Sequence, residues 1–219
     1  MIFKQYAAKK GALAYLIGDP VTRETVVVDP VPELVEPLLS FMTERGLTLR
    51  YILETHLATP QAKGALALQK RTGARIVAHE TALSEHIDIR LHDGDVLNFG
   101  EETLRVLHTP GQMPCAVTYW WFDRLFTGET LLATGPGVCH PRGDLARLLQ
   151  SIQTRLFSFP DEILVYPGRE AKGRRLASIE ELRRRFGSSG NRGKGRALLN
   201  ALVNIKVNQP HEQSAKARE

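Results

Sequence analysis

The sequence predicts an α/β (α+β) fold in which two β-sheets pack face to face and helices cover both outer faces, an αββα sandwich of four layers. Strands and helices are predicted in two similar rounds along the chain, and each round is long enough to build one sheet with its covering helices. The chain has 219 residues, 42% of them hydrophobic, which is enough to bury a full core without disulfides or metals.

The first round begins with three short β-rich segments, and the third, "TVVVDP", is apolar enough for a central strand. A helix is predicted over residues 31–46, because Leu34, Leu38 and Met42 recur at helical spacing and Gly46 suits a helix end. A strand, a helix and a further strand are predicted after this helix. The predicted segments of this round are strands 2–7, 13–19, 25–30, 49–56 and 74–80, and helices 31–46 and 60–73.

The second round starts with consecutive short strands between residues 91 and 131, which are separated by turns such as "DGD". A helix is predicted over residues 143–159 with Asp144 near its N-terminus, then a strand over 162–168 and a helix over 178–186. The chain therefore divides into one domain, residues 1–186, and a basic Gly-rich linker with a C-terminal tail, residues 187–219. We expect residues 187–195, "GSSGNRGKG", to be mobile.

Composition and charge narrow the class of protein. The first residues carry no signal-peptide pattern, no apolar run is long enough to span a bilayer, and two cysteines do not build a disulfide framework. We therefore expect a cytoplasmic protein without a membrane partner. Residues 169–219 hold 13 of the 29 basic and 5 of the 24 acidic residues, so this end carries a positive excess. Weak, sequence-independent nucleic-acid binding through the basic C-terminal end is one functional alternative, although charge alone supports it.

Several short motifs occur in a recognisable order. They are "VVVDP", "YILETH", "RTGARIVAHE", "LHDGD", "LRVLHTPG", "LFTGETL" and "VYPGRE". In order and spacing they resemble the metallo-β-lactamase superfamily, most of all its persulfide dioxygenase and glyoxalase II branch. The resemblance covers roughly residues 1–186. It implies a four-layer αββα metallo-β-lactamase-like sandwich whose site lies among loops at one edge of the sheets.

The metal-binding positions of this family are changed here. Members carry T-H-x-H-x-D-H, and Thr55 and His56 match its first two letters, whereas Ala58, Pro60 and Gln61 replace the remaining ligands. The other family ligands are replaced as well: Gln112 stands for the histidine of "TPGH", Glu129 for the aspartate of "TGD" and Arg169 for the histidine of "YPGH". A dinuclear hydrolase needs several imidazoles and a bridging carboxylate, so we expect a degenerate site without that activity.

A mononuclear site is the second hypothesis. The resemblance to persulfide dioxygenases implies that a single iron would be held at the positions of His56, Gln112 and Glu129. An amide oxygen is a weaker ligand than an imidazole, and Glu is one methylene longer than Asp. This hypothesis gives a sulfur dioxygenase or thioester hydrolase with one weakly bound Fe or Zn. The first hypothesis predicts no stoichiometric metal.

The first hypothesis treats the chain as a pseudoenzyme that binds a small thiol, persulfide or other anionic ligand in the cleft. Arg169 has two roles open to it: pairing with Glu129, or binding the anion together with Lys172 and Arg174. Asp29 is interpreted as bracing the loop at a strand end. A homodimer is left open, because the sequence does not determine the oligomeric state.

The two cysteines lie in loops expected to face the same cleft. Cys115 follows the changed "TPGQ" loop, and Cys139 is adjacent to His140. A neighbouring imidazole lowers the pKa of a thiol and makes it reactive, whereas a buried cysteine commonly serves as a small hydrophobic residue. Both interpretations stay open for Cys115 and Cys139.

Overall fold

The structure is a computed structural model that describes residues 1–57 and 59–186, without the side chains of residues 59–61. In these ranges the chain forms two six-stranded sheets and a short ribbon. The predicted linker and tail, residues 187–219, lie outside the described residues. No helix in the described ranges is long and apolar enough to cross a bilayer.

The first sheet has its strands in sequence order, antiparallel from β1 to β3 and parallel from β3 to β6. Its strands are β1 (Ile2–Ala7), β2 (Leu13–Gly18), β3 (Glu24–Val28), β4 (Thr48–Leu53), β5 (Arg75–His79) and β6 (Ile89–Leu91). Helices α1 (Val35–Glu44) and α2 (Thr59–Thr72) cover its outer face, and a 3-10 turn (Pro32–Leu34) precedes α1.

The second sheet has the strand order β14-β13-β10-β9-β8-β7. Its strands are β7 (Val96–Phe99), β8 (Glu102–His108), β9 (Val117–Trp121), β10 (Arg124–Gly128), β13 (Leu164–Pro167) and β14 (Ala177–Ser178). The ribbon consists of β11 (Leu131–Leu132) and β12 (Gly135–Pro136). Helices α3 (Leu145–Ser151) and α4 (Ile179–Phe186) pack on the outer face, so the predicted four-layer arrangement is confirmed.

Alternation along the strands builds the layers. In β2, Leu13, Tyr15 and Ile17 point to the core between the two sheets. Ala14 and Leu16 point the other way and pack under the helices of the first sheet. Both faces of the strand are therefore buried, as a sheet sandwiched between two layers requires.

Two predicted segments end three or more residues earlier than expected. The strand predicted over 49–56 leaves the sheet after Leu53, because the amide of Thr55 donates to the carboxylate of Asp29 and its carbonyl accepts from Val117 of the other sheet. The helix predicted over 143–159 is α-helical only to Ser151 and continues as a π-helix to Leu156. Its predicted N-cap is correct, since the side chain of Asp144 accepts from the amide of Arg147.

Candidate functional site

The candidate site lies at one edge of the sandwich, where parallel strands end together. Strands β3 and β4 run parallel, and the chain continues from them into Asp29 and His56. Strands β10 and β13 also run parallel and lead into Glu129 and Arg169. Since the carboxyl ends of parallel strands meet at the same edge, each sheet presents one pair of polar side chains there.

Gly128 joins the two halves of the site. It has a left-handed φ of 54°, and a Cβ built on it would lie 2.2 Å from Oγ1 of Thr55 and 3.4 Å from Nδ1 of His56. On the other side, its carbonyl accepts from the amide of Gly168 at 2.6 Å. Only a residue without a side chain permits this approach, which brings the end of β10 against the loop of Thr55 and His56.

A buried hydrogen-bond chain orients His56. Thr55 donates to Asp29 twice, from its amide to Oδ1 at 2.8 Å and from its hydroxyl to Oδ2 at 2.6 Å. The hydroxyl oxygen lies 2.9 Å from Nδ1 of His56. Because the single hydroxyl proton points to Asp29, the oxygen accepts from Nδ1–H, which leaves Nε2 as the acceptor nitrogen of the ring.

All three members of this chain are buried, and Asp29 adopts a left-handed backbone conformation with φ 50°. Burial raises the pKa of Asp29, whereas His56 and the hydrogen bonds from Thr55 act in the opposite direction. Two bonds from Thr55 tie Asp29 to the loop that carries His56.

Arg169 and Glu129 form an ion pair at this edge of the sandwich. Nε of Arg169 donates to Oε1 of Glu129 at 3.0 Å, and Nη1 donates to the carbonyl of Lys10 at 3.3 Å. The side chain of Arg169 is 48% exposed and that of Glu129 is 22% exposed. The backbone of Arg169 is held by a β-bridge to Ala12, so the position of the guanidinium is defined from both ends.

Gln112 lies in the loop after β8, and this loop is held by α3 and by the segment that precedes it. The carbonyl of Gln112 accepts from the amide of His140, and Ser151 donates to the carbonyl of Pro110. The Gln112 side chain is buried, and its Oε1 has no hydrogen-bond partner among the described residues. A buried acceptor of this kind calls for a donor that a bound molecule can supply.

The sequence interpretation missed Glu54, a buried carboxyl group next to the site. Both carboxyl oxygens lack a hydrogen-bond partner within the described ranges, and the group borders a small cavity together with Leu57, Ile76 and Ile87. Burial, with a smaller contribution from Asp29, raises the pKa of Glu54 well above its usual range. The sequence did contain a signal for this buried group, because Glu54 directly follows the apolar run "YIL" of a predicted strand.

The described side chains do not fit a metal ion. They contain no group of three or more His, Cys, Asp and Glu residues placed to hold one. A mononuclear site would use His56, Gln112 and Glu129 as metal ligands. His56 supplies one imidazole nitrogen and Gln112 supplies a neutral amide. The carboxylate of Glu129 is already paired with Arg169. A guanidinium stays charged at all relevant pH values and opposes a cation beside it.

The other two basic residues predicted to bind an anion differ in their surroundings. Lys172 is exposed on a turn with a left-handed φ of 50°. The guanidinium of Arg174 binds both carboxylate oxygens of Glu181 and thereby fastens the turn to α4. The structure thus pairs Arg169 with Glu129 at the strand-end edge and engages Arg174 with Glu181.

The two cysteines also differ. Cys115 is buried in a small apolar cluster with Met113 and Ala82, and burial raises the pKa of its thiol. Cys139 is partly buried, and its Sγ lies 3.5 Å from the carbonyl of Gly111. The neighbouring His140 uses Nδ1 to accept from the amide of Arg142.

The basic end of the chain is described only as far as residue 186. Within α4, Arg183 binds Asp161 and two backbone carbonyls, and Arg185 pairs with Glu181. The bonds of Arg183 attach the helix to the domain, whereas the pair of Arg185 and Glu181 lies within the helix. Most of the segment on which the nucleic-acid hypothesis depends lies outside the described residues, so that hypothesis stays a prediction.

Comparison with known proteins defines the class. The family model described as "Metallo-beta-lactamase superfamily" matches residues 9–186, and the two-sheet fold with its site at the strand ends agrees with it. The chain belongs to the metallo-β-lactamase superfamily.

Within the superfamily, the chain is similar to persulfide dioxygenases and hydroxyacylglutathione hydrolases. It is 31% identical to the mitochondrial persulfide dioxygenase ETHE1 of Homo sapiens over 173 residues, 77% of this chain and 68% of the human protein. It is 34% identical to the hydroxyacylglutathione hydrolase of Rhizobium etli over 159 residues, 71% of this chain and 60% of that protein. The crystal structure of ETHE1 from Myxococcus xanthus superposes with a TM-score of 0.85 at 34% identity, covering 96% of this chain and 93% of that one.

Proposed function

We propose that this protein binds a small thiol, persulfide or related anionic molecule in the cleft and does not perform the metal-dependent chemistry of its relatives. The ion pair between Arg169 and Glu129 is the observation that carries the proposal. It brings a permanent positive charge to the position of a family metal ligand and engages the carboxylate that a metal would need. The pair neutralises the pocket, so a divalent cation gains little by entering.

The same guanidinium is suited to an anion. Within the described ranges its Nε and Nη1 make hydrogen bonds, which leaves Nη2 to donate to a ligand. Nearly half of the side chain is exposed, so an anion reaches it from solvent. Hydrogen bonds from a guanidinium to an anion are among the stronger ones in proteins, and they are the interaction expected here.

The relatives indicate that the ligand is a small sulfur compound. The names persulfide dioxygenase and hydroxyacylglutathione hydrolase both refer to small sulfur compounds or their thioesters. The family model spans residues 9–186, which include the loops that carry His56, Glu129 and Arg169. We therefore favour a thiol or persulfide over other anions. The protein would act as a sensor or accessory in sulfur metabolism.

One observation favours the mononuclear enzyme as a second candidate. The hydrogen bond from Nδ1 to Thr55 leaves Nε2 of His56 available to coordinate a metal. The unpartnered Oε1 of Gln112 is a second atom that could coordinate it. Iron or zinc binding would then require Glu129 to leave Arg169. This candidate keeps the activity of the similar persulfide dioxygenase at reduced metal affinity.

Metal content separates the two candidates. The full chain is purified without chelators and its iron and zinc are measured by mass spectrometry, in parallel with His56→Ala and Glu129→Gln. We expect far less than one equivalent of metal in every sample and no oxygen consumption with a persulfide. A full equivalent in the wild type that is lost in both variants would support the enzyme and overturn the binding proposal.

A further inference from the structure

Two histidines from opposite sheets stack on each other at the edge of the sandwich that carries the site. His79 is the last residue of β5, and His108 is the last residue of β8. Their ring centroids lie 3.9 Å apart, and the ring planes make an angle of 14°. His79 is buried and His108 is partly buried. The stack is therefore a direct contact between titratable side chains of the two sheets.

The hydrogen bonds of the two rings show which nitrogens carry protons. Nδ1 of His79 accepts from the amide of Thr81 at 3.3 Å, so the ring proton of His79 is on Nε2. Nε2 of His108 lies 2.9 Å from the carbonyl oxygen of Pro114, which can only accept, so this nitrogen carries the ring proton of His108. A further proton must enter each ring at Nδ1, and on His79 it removes the acceptor of the Thr81 amide.

The stack also holds a loop in place. The bond from His108 is to the carbonyl of Pro114, which lies in the loop between β8 and β9. Cys115 follows Pro114 and belongs to a small apolar cluster that also contains Ala78 of β5. Residues 113–116, the Pro114 segment, are therefore attached to the first sheet through this cluster and through the histidine stack.

The acidic side chains near the stack are already engaged by other groups. Among the described residues, Glu80, His92 and Asp93 are the other titratable side chains that face His79. Asp93 is bound by Arg155, and Oε2 of Glu80 lies 3.2 Å from Nε2 of His92. These contacts limit the stabilisation that either carboxylate gives to a positive charge on His79.

Acid therefore destabilises the stack. Burial and the ring of His108 hold the pKa of His79 below its ordinary value. A free imidazole takes up its proton near pH 6.5, above the pKa of His79 in the closed stack, so the closed form loses stability as the pH falls below about 6.5. Once both rings are protonated, two positive charges face each other across 3.9 Å.

We infer that His79 and His108 form a pH-sensitive clasp, which holds the Pro114 segment against the first sheet at neutral pH and releases it in acid. Repulsion moves the less buried ring of His108 away from His79, and the bond to Pro114 is lost with it. Cys115 then becomes accessible. The inference is independent of the ligand proposed for the cleft, because none of these residues is assigned to bind it.

Cys115 reports the opening of the clasp. The full chain is labelled for short times with 4,4′-dithiodipyridine, a disulfide that also reacts with thiols in acid, and peptide mass mapping gives the rates at Cys115 and Cys139. Cys139 lies outside the Pro114 segment and serves as the reference thiol. The ratio of the rate at Cys115 to the rate at Cys139 should rise about tenfold between pH 7 and pH 5, the effect of lowering the pKa of one imidazole by about one unit.

Two variants remove the titration and keep the hydrogen bonds. His79→Asn keeps an acceptor for the amide of Thr81, and His108→Gln keeps a donor for the carbonyl of Pro114. In both variants the ratio should no longer change with pH. His86→Gln is the matched control, because His86 is exposed and lies outside the stack, and it should keep the wild-type rise. Circular dichroism confirms the fold of each protein at each pH.

Hydrogen exchange of the wild type tests the clasp without a variant. Amides of the Pro114 segment should lose protection between pH 7 and pH 5, whereas the amides of β9 keep theirs. A constant ratio with constant protection in the wild type would overturn the inference. The same rise in both histidine variants, its loss in His86→Gln, or a loss of protection throughout both sheets would overturn it as well.

Discussion

The hydroxyl of Thr55 should be the most important single polar group for the stability of the site. It donates to Oδ2 of Asp29 at 2.6 Å and lies 2.9 Å from Nδ1 of His56. Thr55→Val keeps the side-chain shape and removes both bonds inside a fully buried region. A bond to a carboxylate contributes about 1.5–3 kcal/mol and a neutral one about 1 kcal/mol, so we expect the free energy of unfolding to fall by roughly 3 kcal/mol.

The assay is urea denaturation at pH 8 with far-UV circular dichroism as the readout. For a domain of this size, the loss corresponds to a decrease in Tm of about 6–12 °C. Thr127→Val is the matched control, because its buried hydroxyl makes one bond of 2.6 Å, to the carbonyl of Leu131. The control should lose only about 1 kcal/mol. Equal losses in the two variants would show that Asp29 and His56 do not depend on the Thr55 hydroxyl.

Three further predictions test the surroundings of the site. Burial raises the pKa of Glu54, so the native state holds a proton that the unfolded chain releases, and wild-type stability declines as pH rises above the unfolded pKa. Glu54→Gln should therefore gain stability relative to wild type between pH 5 and pH 8 in urea titrations, and a pH-independent difference would contradict this. The double substitution Gln112→His with Arg169→His restores two imidazoles and removes the opposing cation, so zinc affinity measured by calorimetry should rise, and an unchanged affinity would count against the assigned roles. Iodoacetamide should modify Cys139 faster than Cys115, whose thiol is buried with a raised pKa, and peptide mass mapping that shows the reverse order would refute this.

The layers of the fold were predictable from local patterns. The run "TVVV" predicts a strand buried on both faces, and β3 is buried along nearly its whole length. Asp144 marks the start of α3 for a local reason as well, since its capping bond spans three residues. The early end of β4 was not predictable, because it depends on a bond between Thr55 and the distant Asp29. The π-helix after Ser151 was not predicted either.

The positions of the site could be predicted, but not all of their contacts. Family motifs locate His56, Gln112, Glu129 and Arg169, and parallel strands explain why their loops share an edge. The sequence interpretation missed the unpartnered carboxyl of Glu54. The alternation of side chains along a strand predicts that Glu54 points away from Thr55, toward the helices, but it does not predict whether the carboxyl has a hydrogen-bond partner.

The sequence by itself predicted the four-layer sandwich, and through the family resemblance it pointed to a candidate site at one edge of the sheets. Tertiary structure alone decided which charges meet: Arg169 pairs with Glu129, 40 residues away, whereas Arg174 is bound by Glu181. Spacing along the chain places a loop to within several ångströms. A hydrogen bond requires its atoms to lie within a few tenths of an ångström, and that accuracy comes only from the packed positions of both sheets.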